Sequence, residues 1–365
     1  MSKTILRPTL IDTDPGMDDA VALLMAFKSP KISVVAVTVV AGNGPLTDMA
    51  ANTMRCMATL PSDQQTIPVF KGIDRALLGK HREIVRSSHY HGADYLQDKP
   101  DLHPKRLSNH EVDKLCEEKH AVQAIIDLSK EYAGELELVF LGPLTNLAMA
   151  VRLDPGLVGR VKKLTIMGGN IFGVGNANAA GEYNFAIDPE AAHIVLSEFH
   201  TLGESLIIFS WEASRRCSVS PEMYKVDEFL AGSGKVFYDF YHHLVSSFRN
   251  DEMEKRILEG KESRNKLIYG MGKDNFFGCI CDAFAMAVAI EPEIVTNSQL
   301  DACVMELDGH MTRGQMVVIT SDCFLDANHR ELKNALTPIT IIHDIDPHKF
   351  IDMMKMAFTD EKNDK

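Results

Sequence analysis

Short runs of β-branched residues alternate with helix-period stretches through the first two hundred residues of the chain. The apolar pattern predicts strands over 9–12, 32–40, 67–70, 136–141, 161–167 and 206–209, and helices over 18–27, 46–59, 121–132 and 189–198. Strands alternating with helices in this way predict an α/β fold, an open and mostly parallel sheet with helices on both faces. Right-handed crossovers then bring the C-terminal ends of the strands to one edge, where such sheets bind ligands.

Two stretches break the alternation. Residues 79–118 are rich in His, Lys, Asp and Pro with little periodicity, and 237–275 begins in an aromatic-lined helical pattern over 236–248 and continues into a charged stretch. Both are expected to be lid segments on a single domain over 1–358, with 359–365 a solvated tail. The longest clear apolar run, 283–290, falls far short of the ~20 residues of a membrane span.

Composition narrows the partners. Fifty-one acidic against 38 basic residues give a formal net charge of −13, which repels a polyanion, so nucleic acid is not expected as a partner. Residues 1–7 are short and polar, unlike a secretory signal, and seven cysteines at irregular spacing suit free thiols. A cytoplasmic location is therefore expected. Cys279 and Cys281 are two apart, which is not zinc spacing, and are read as small apolar residues.

The densest chemistry lies at the end of the first strand, where Asp12, Asp14, Asp18 and Asp19 flank the Pro15-Gly16 turn into a helix. Helix capping accounts for one or two of these carboxylates. Four within one turn repel one another, and a hard cation with oxygen ligands, Ca²⁺ or Mg²⁺, would hold several of them ionised. Beyond the 161–167 strand come Met167-Gly168-Gly169-Asn170 and then Asn176, Asn178, Glu182 and Asn184, amides and a carboxylate suited to sugar hydroxyls. Asp282 follows Cys281 at the head of the 283–290 run, as a helix cap or a further metal ligand. No Lys or Arg lies between Arg7 and Lys28, Lys163 and Arg215, or Lys273 and Arg313. Phosphate sites recruit such residues, so a neutral polyol is the expected ligand.

Taken together these motifs resemble the inosine-uridine-preferring nucleoside hydrolase family. The likeness runs from the DTDPGMDDAVAL stretch at Asp12 through Ala41-Gly42-Asn43, His89-Tyr90-His91-Gly92, 141–146 (LGPLTN), Met167-Gly168-Gly169 and Asn176 to Asn184, to Ile187-Asp188-Pro189-Glu190. The resemblance implies calcium-dependent hydrolysis of purine or pyrimidine ribonucleosides to base and ribose, with Ca²⁺ held by Asp14, Asp19, Asp282 and the Leu141 backbone carbonyl. It implies that Asp14 is also the general base toward a metal-bound water. Asp18, Asn43, Asn176, Glu182 and Asn184 would hold the ribose, with Met167, Tyr183 and Asp282 beside the substrate. A homodimer or homotetramer is the expected assembly.

The departure is Cys281, where relatives place a His or a Trp before the last metal Asp. A thiol is a poor acid near neutral pH and cannot stack on a base. His91, Tyr241, His242 and His243 are the candidates to close over the leaving base. Two alternatives compete: a ribose- or nucleoside-binding protein without catalysis, and a haloacid-dehalogenase-like phosphatase, which shares the Asp-x-Asp at a strand end but needs phosphate-binding cations.

Overall fold

The computed structural model describes residues 6–60, 65–78, 91–96, 104–217, 239, 242, 280–320, 331 and 334–358. The first apolar run forms β1 (Arg7–Thr13), whose last five residues are buried. It runs through a tight turn into α1 (Met17–Phe27), and β2 (Ile32–Val39) and α2 (Leu46–Met57) repeat the unit. Next come β3 (Val69–Lys71), α3 (Asn109–Leu115), α4 (Ala121–Glu131), β4 (Glu137–Phe140), α5 (Thr145–Leu153) and β5 (Lys163–Met167). The chain continues through α6 (Tyr183–Ile187), α7 (Pro189–Phe199), β6 (Leu206–Phe209) and α8 (Trp211–Arg216). Its last described part is α9 (Cys281–Ile290), β7 (Val295–Met305), β8 (Met316–Ile319), β9 (Ile339–Ile345) and α10 (Pro347–Phe358).

The strands make one nine-stranded sheet in the order β3-β2-β1-β4-β5-β6-β9-β7-β8. Pairing is parallel from β3 across to β9 and antiparallel from β9 to β7 and from β7 to β8. The chain moves outward in one direction from β1 to β3, then returns to β4 and moves in the other. That reversal between β1 and β4 is a topological switch point, and it opens a crevice at the strands' C-terminal ends. One core lies under α1, α2, α9 and α10 and the other under α4, α5 and α7, so both sheet faces are covered.

The expected open α/β sheet is thus present, and its predicted strands and helices fall within a few residues of the observed ones. The three C-terminal strands carry no period-2 signal and were not among the expected elements. Within 79–118, which was expected to lack regular structure, Asn109–Leu115 is helical, because Ser108 and Glu111 cap each other's backbone in an S-x-x-E box. Most of 237–275, including Tyr241 and His243, and the tail 359–365 lie outside the described residues. Among the described residues no helix is long and apolar enough to cross a membrane.

Candidate active site

Four strand ends at the crevice contribute. Asp14 follows β1, Asn43 follows β2, Leu141 follows β4, and Met167 ends β5. Asp14 is buried, and its Oδ2 accepts the Asn43 N–H at 2.6 Å while its backbone carbonyl accepts Asn43 Nδ2 at 3.0 Å. Gly42 and Gly142 close on the carboxyl from two sides, and a Cβ at either would collide with an Asp14 oxygen. This cradle explains glycine at both positions.

Two helix N-termini meet beside it. All ten residues of α9 are buried, as expected for a helix apolar all round, and α9 packs along α1. The packing brings Asp282 of its first turn to Asp18 and Asp19 in the first turn of α1, and one oxygen from each of the three lies within 4.8 Å of the others. Asp19 is held by Thr13 Oγ1 at 2.5 Å and by the Gly16 N–H at 3.0 Å. Asp14 stands outside that closest trio, yet its carboxyl feels the repulsion of Asp19 and Asp18. Burial, then neighbouring negative charge, pushes Asp14 and Asp282 well above the usual carboxylate range and Asp18 up to about 7. Burial also raises Asp19. Such a set is costly to ionise and becomes favourable around a cation. All of its donors are oxygens, the chemistry of a hard divalent metal.

Asp12, one strand turn earlier, is pushed up to about 7 by burial. Its Oδ2 accepts Thr38 Oγ1 at 2.6 Å and Asn146 Nδ2 at 2.8 Å, whereas its Oδ1 has no hydrogen-bond partner among the described residues. Asp12 therefore ties β1 to β2 and to α5, which accounts for one of the four carboxylates without a metal.

The hydroxyl-binding candidates divide. Glu182 caps α6, taking the N–H groups of Asn184 at 2.8 Å, Phe185 at 3.1 Å and Gly169 at 2.9 Å; burial raises its carboxyl to about 7. Asn184 is buried and donates from Nδ2 to the Leu141 carbonyl at 2.7 Å and the Met167 carbonyl at 3.1 Å. The candidate metal carbonyl and a candidate ribose ligand thus touch. A carbonyl oxygen has two lone pairs, so this bond leaves one for a cation. Tyr183 reaches the Gly42 carbonyl at 3.0 Å. Asn176 stays exposed on the 168–182 loop and is not brought to the acidic cluster, and Asn178 serves the loop itself, accepting from Ala180 and Gly181 and donating to the Arg313 carbonyl. His91 is buried over the Gly16-Met17 turn, Cys281 is buried in the core under α9, and His242 is half-buried in a helical turn.

Sequence reasoning passed over Thr13, Asn52, Asn146 and Glu212, all buried. Glu212, in α8, receives the N–H groups of Ile171 and Phe172 at 2.8 and 2.9 Å and so grips the stem of the loop carrying Glu182. Nothing local in the sequence marks it, because its partners are backbone groups forty residues upstream.

The pattern of the inosine-uridine preferring nucleoside hydrolase family matches residues 9–352. The chain is 31% identical to the inosine-uridine preferring nucleoside hydrolase of Leishmania major, over 93% of this chain and 94% of that protein. It is 32% identical to the enzyme of the same description from Crithidia fasciculata, over 85% and 87% of the two chains. A solved inosine-guanosine nucleoside hydrolase superposes with a TM-score of 0.78 at 26% identity, covering 97% of this chain and 99% of that one. With the acidic cluster at the switch point of the sheet, these likenesses establish that the chain belongs to the inosine-uridine preferring nucleoside hydrolase family and is a ribonucleoside hydrolase.

Proposed function

We propose that this enzyme uses Ca²⁺ to cleave the N-glycosidic bond of purine or pyrimidine ribonucleosides, inosine and uridine among them, giving free base and ribose. The observation that carries the reading is the convergence of Asp18, Asp19 and Asp282 at two helix N-termini beside Asp14. Held by Asp14, Asp19, Asp282 and the Leu141 carbonyl, Ca²⁺ would neutralise the cluster, orient ribose hydroxyls and acidify a water.

The chain's own groups do the rest. Asp14 accepts a proton from the attacking water, whose hydroxyl joins the anomeric carbon while the glycosidic electron pair leaves with the base. Asp18, Asn43, Glu182 and Asn184 receive the ribose hydroxyls, with Met167, Tyr183 and Asp282 around them; Asn176 joins only if its exposed loop tip turns inward on the substrate. The buried carboxylates favour the positive charge that develops on the sugar. Because the three stretches that build the site lack Lys and Arg, nucleosides should exceed their 5′-monophosphates by more than ~10-fold in kcat/KM.

A reducing-sugar assay with inosine, uridine and adenosine tests the reading. Ribose release that is abolished by chelation and restored by calcium is expected. Tight nucleoside binding without ribose release would favour the binding-protein alternative. The phosphatase alternative falls with the family assignment. A cytoplasmic location and a homodimer or homotetramer belong to the same proposal. Buried thiols at Cys56, Cys116 and Cys303 support the first, and light scattering on the purified protein checks the second.

A further inference from the structure

Tyr183 is the first residue of α6, and the turn that it opens ties three strand ends together. Glu182 caps that turn through the N–H groups of Asn184 and Phe185, and Asn184 reaches the carbonyls of Leu141 after β4 and of Met167 at the end of β5. The Tyr183 hydroxyl makes the third tie, donating to the Gly42 carbonyl beyond β2 at 3.0 Å. That carbonyl belongs to the same peptide group as the Asn43 N–H, which donates to Asp14 Oδ2 at 2.6 Å. A trans peptide is planar, with its C=O and N–H on opposite sides. Tyr183 and Asp14 therefore hold the two ends of one rigid unit.

The unit needs holding. A Cβ at residue 42 would collide with the Asp14 carboxyl and stand 2.7 Å from Pro143 Cδ, which restricts the position to glycine, the residue whose backbone turns most freely. Asn43 comes next, and Asn tolerates positive φ better than most residues. Across a Gly-Asn pair the peptide plane can swing over and present its oxygen to Asp14 in place of its N–H. The bond from Tyr183 pins the plane with the N–H toward Asp14, and a hydrogen bond to the carbonyl polarises the N–H at the other end of the same peptide. We propose that Tyr183 is a positioning residue for Asp14: its hydroxyl locks the Gly42-Asn43 peptide so that the Asn43 N–H holds the carboxylate in one orientation for proton transfer. In the hydrolysis proposed above, on which this inference rests, the Tyr183 ring lies beside the ribose while its hydroxyl acts on the base through the peptide.

Tyr183→Phe keeps the ring and removes the hydroxyl. In the calcium-loaded enzyme it is expected to lower kcat on inosine by roughly two- to thirteen-fold, the range of one neutral hydrogen bond, with KM and calcium affinity unchanged. A raised KM at unchanged kcat would make the hydroxyl a substrate contact and overturn the proposal. So would a variant that matches the unaltered enzyme in both constants. In an Asp14→Asn background there is no base left to orient, and Tyr183→Phe should cost nothing further. A loss there equal to that in the unaltered enzyme shows a general packing defect and also overturns the lock.

NMR reads the peptide without turnover. Carbonyl-¹³C glycine combined with ¹⁵N asparagine selects the three Gly-Asn peptides of the sequence, 42–43, 169–170 and 175–176, and Asn43→Ser identifies the first by its loss. The Asn43 amide proton is expected far downfield, as for a short N–H bond to a carboxylate, and Tyr183→Phe should move it upfield. An Asn43 proton that keeps its shift when the hydroxyl is gone overturns the proposal. If the unaltered enzyme released no ribose from any nucleoside, the functional reading would fail, while the amide shift would still show whether Tyr183 holds the peptide.

Discussion

Asp14 illustrates how a single residue gathers several duties. It ends a buried strand, two glycines leave room for its carboxyl, and Asn43 fixes it from both main chain and side chain. Asn at this position keeps one oxygen and removes the base proposed above. Asp14→Asn should therefore lower kcat by at least ~10²-fold while retaining most metal affinity, as measured by turnover and calcium titration. Near-normal turnover with metal bound would end the assignment. Cys281 is the opposite case: it opens α9 inside the core, and its neighbour Asp282 joins the acidic cluster. Cys281→Ala should change kcat on inosine by less than ~10-fold, because a buried thiol is a poor acid near neutral pH. A greater loss, absent with p-nitrophenyl riboside, would give the thiol the acid role.

At the scale of elements, what decides the site is how helix ends and loops are held. The 168–182 loop hangs from α8 at one end and from the β7–β8 turn at the other. Glu212 takes two of its N–H groups and the Trp211 N–H reaches the Gly169 carbonyl; on the far side Asn178 bonds the Arg313 carbonyl, and Arg313 pairs with Glu190 at 2.5 Å. Hydrogen bonds to a charged group contribute about 1.5–3 kcal/mol. Glu212→Ala should loosen the stem and raise KM for nucleosides by roughly tenfold, leaving calcium affinity unchanged. An unchanged KM would mean that the loop holds its shape without the clamp. Part of this level is legible in the sequence: four carboxylates around one turn point to a cation, and the family resemblance, not spacing, singles out Asp14, Asp18 and Asp19 among them and Glu182 in a polar cluster after a strand. Asn178 sits in the same cluster and looks the same in sequence, but its amide is spent on the loop. Residue type announces hydrogen-bonding capacity, and only the fold says whether that capacity faces a ligand or the backbone.

Across the whole molecule, a pit of buried carboxylates makes stability depend on pH and on metal. Asp12, Asp18 and Glu182 are pushed up to about 7, chiefly by burial, from ordinary values near 4. Below about pH 4 both folded and unfolded chains hold these protons. As pH rises toward 7 the unfolded chain releases them first, so the metal-free protein loses stability across that window. Calcium should reverse the trend near neutral pH. At one hundred times its dissociation constant it adds about 2.7 kcal/mol, a Tm rise of about 3–4 °C by scanning calorimetry. A Tm that calcium leaves unchanged at pH 7 would argue against a metal in this pit.

The amino-acid sequence by itself determined the elements whose information is local. The apolar runs from β1 to β6 and the helices α1, α2, α4 and α7 show in period alone, the DTDPGMDD turn points to a cation, and the cluster from Asn176 to Asn184 suits sugar hydroxyls. The tertiary structure alone decided what depends on distant pairing. β7 joins the sheet although only its last residues are buried in alternation, because β9 and β8 supply its partners and its own side chains scarcely signal a strand. Asp282 reaches Asp18 and Asp19 only because α9, buried on all sides, must lie along α1, and His91 meets the Met17 N–H of a turn far away in the chain. Periodicity records which face of an element is dry. Which elements meet there is set by the packing of both sheet faces at once, a property no single stretch of chain contains.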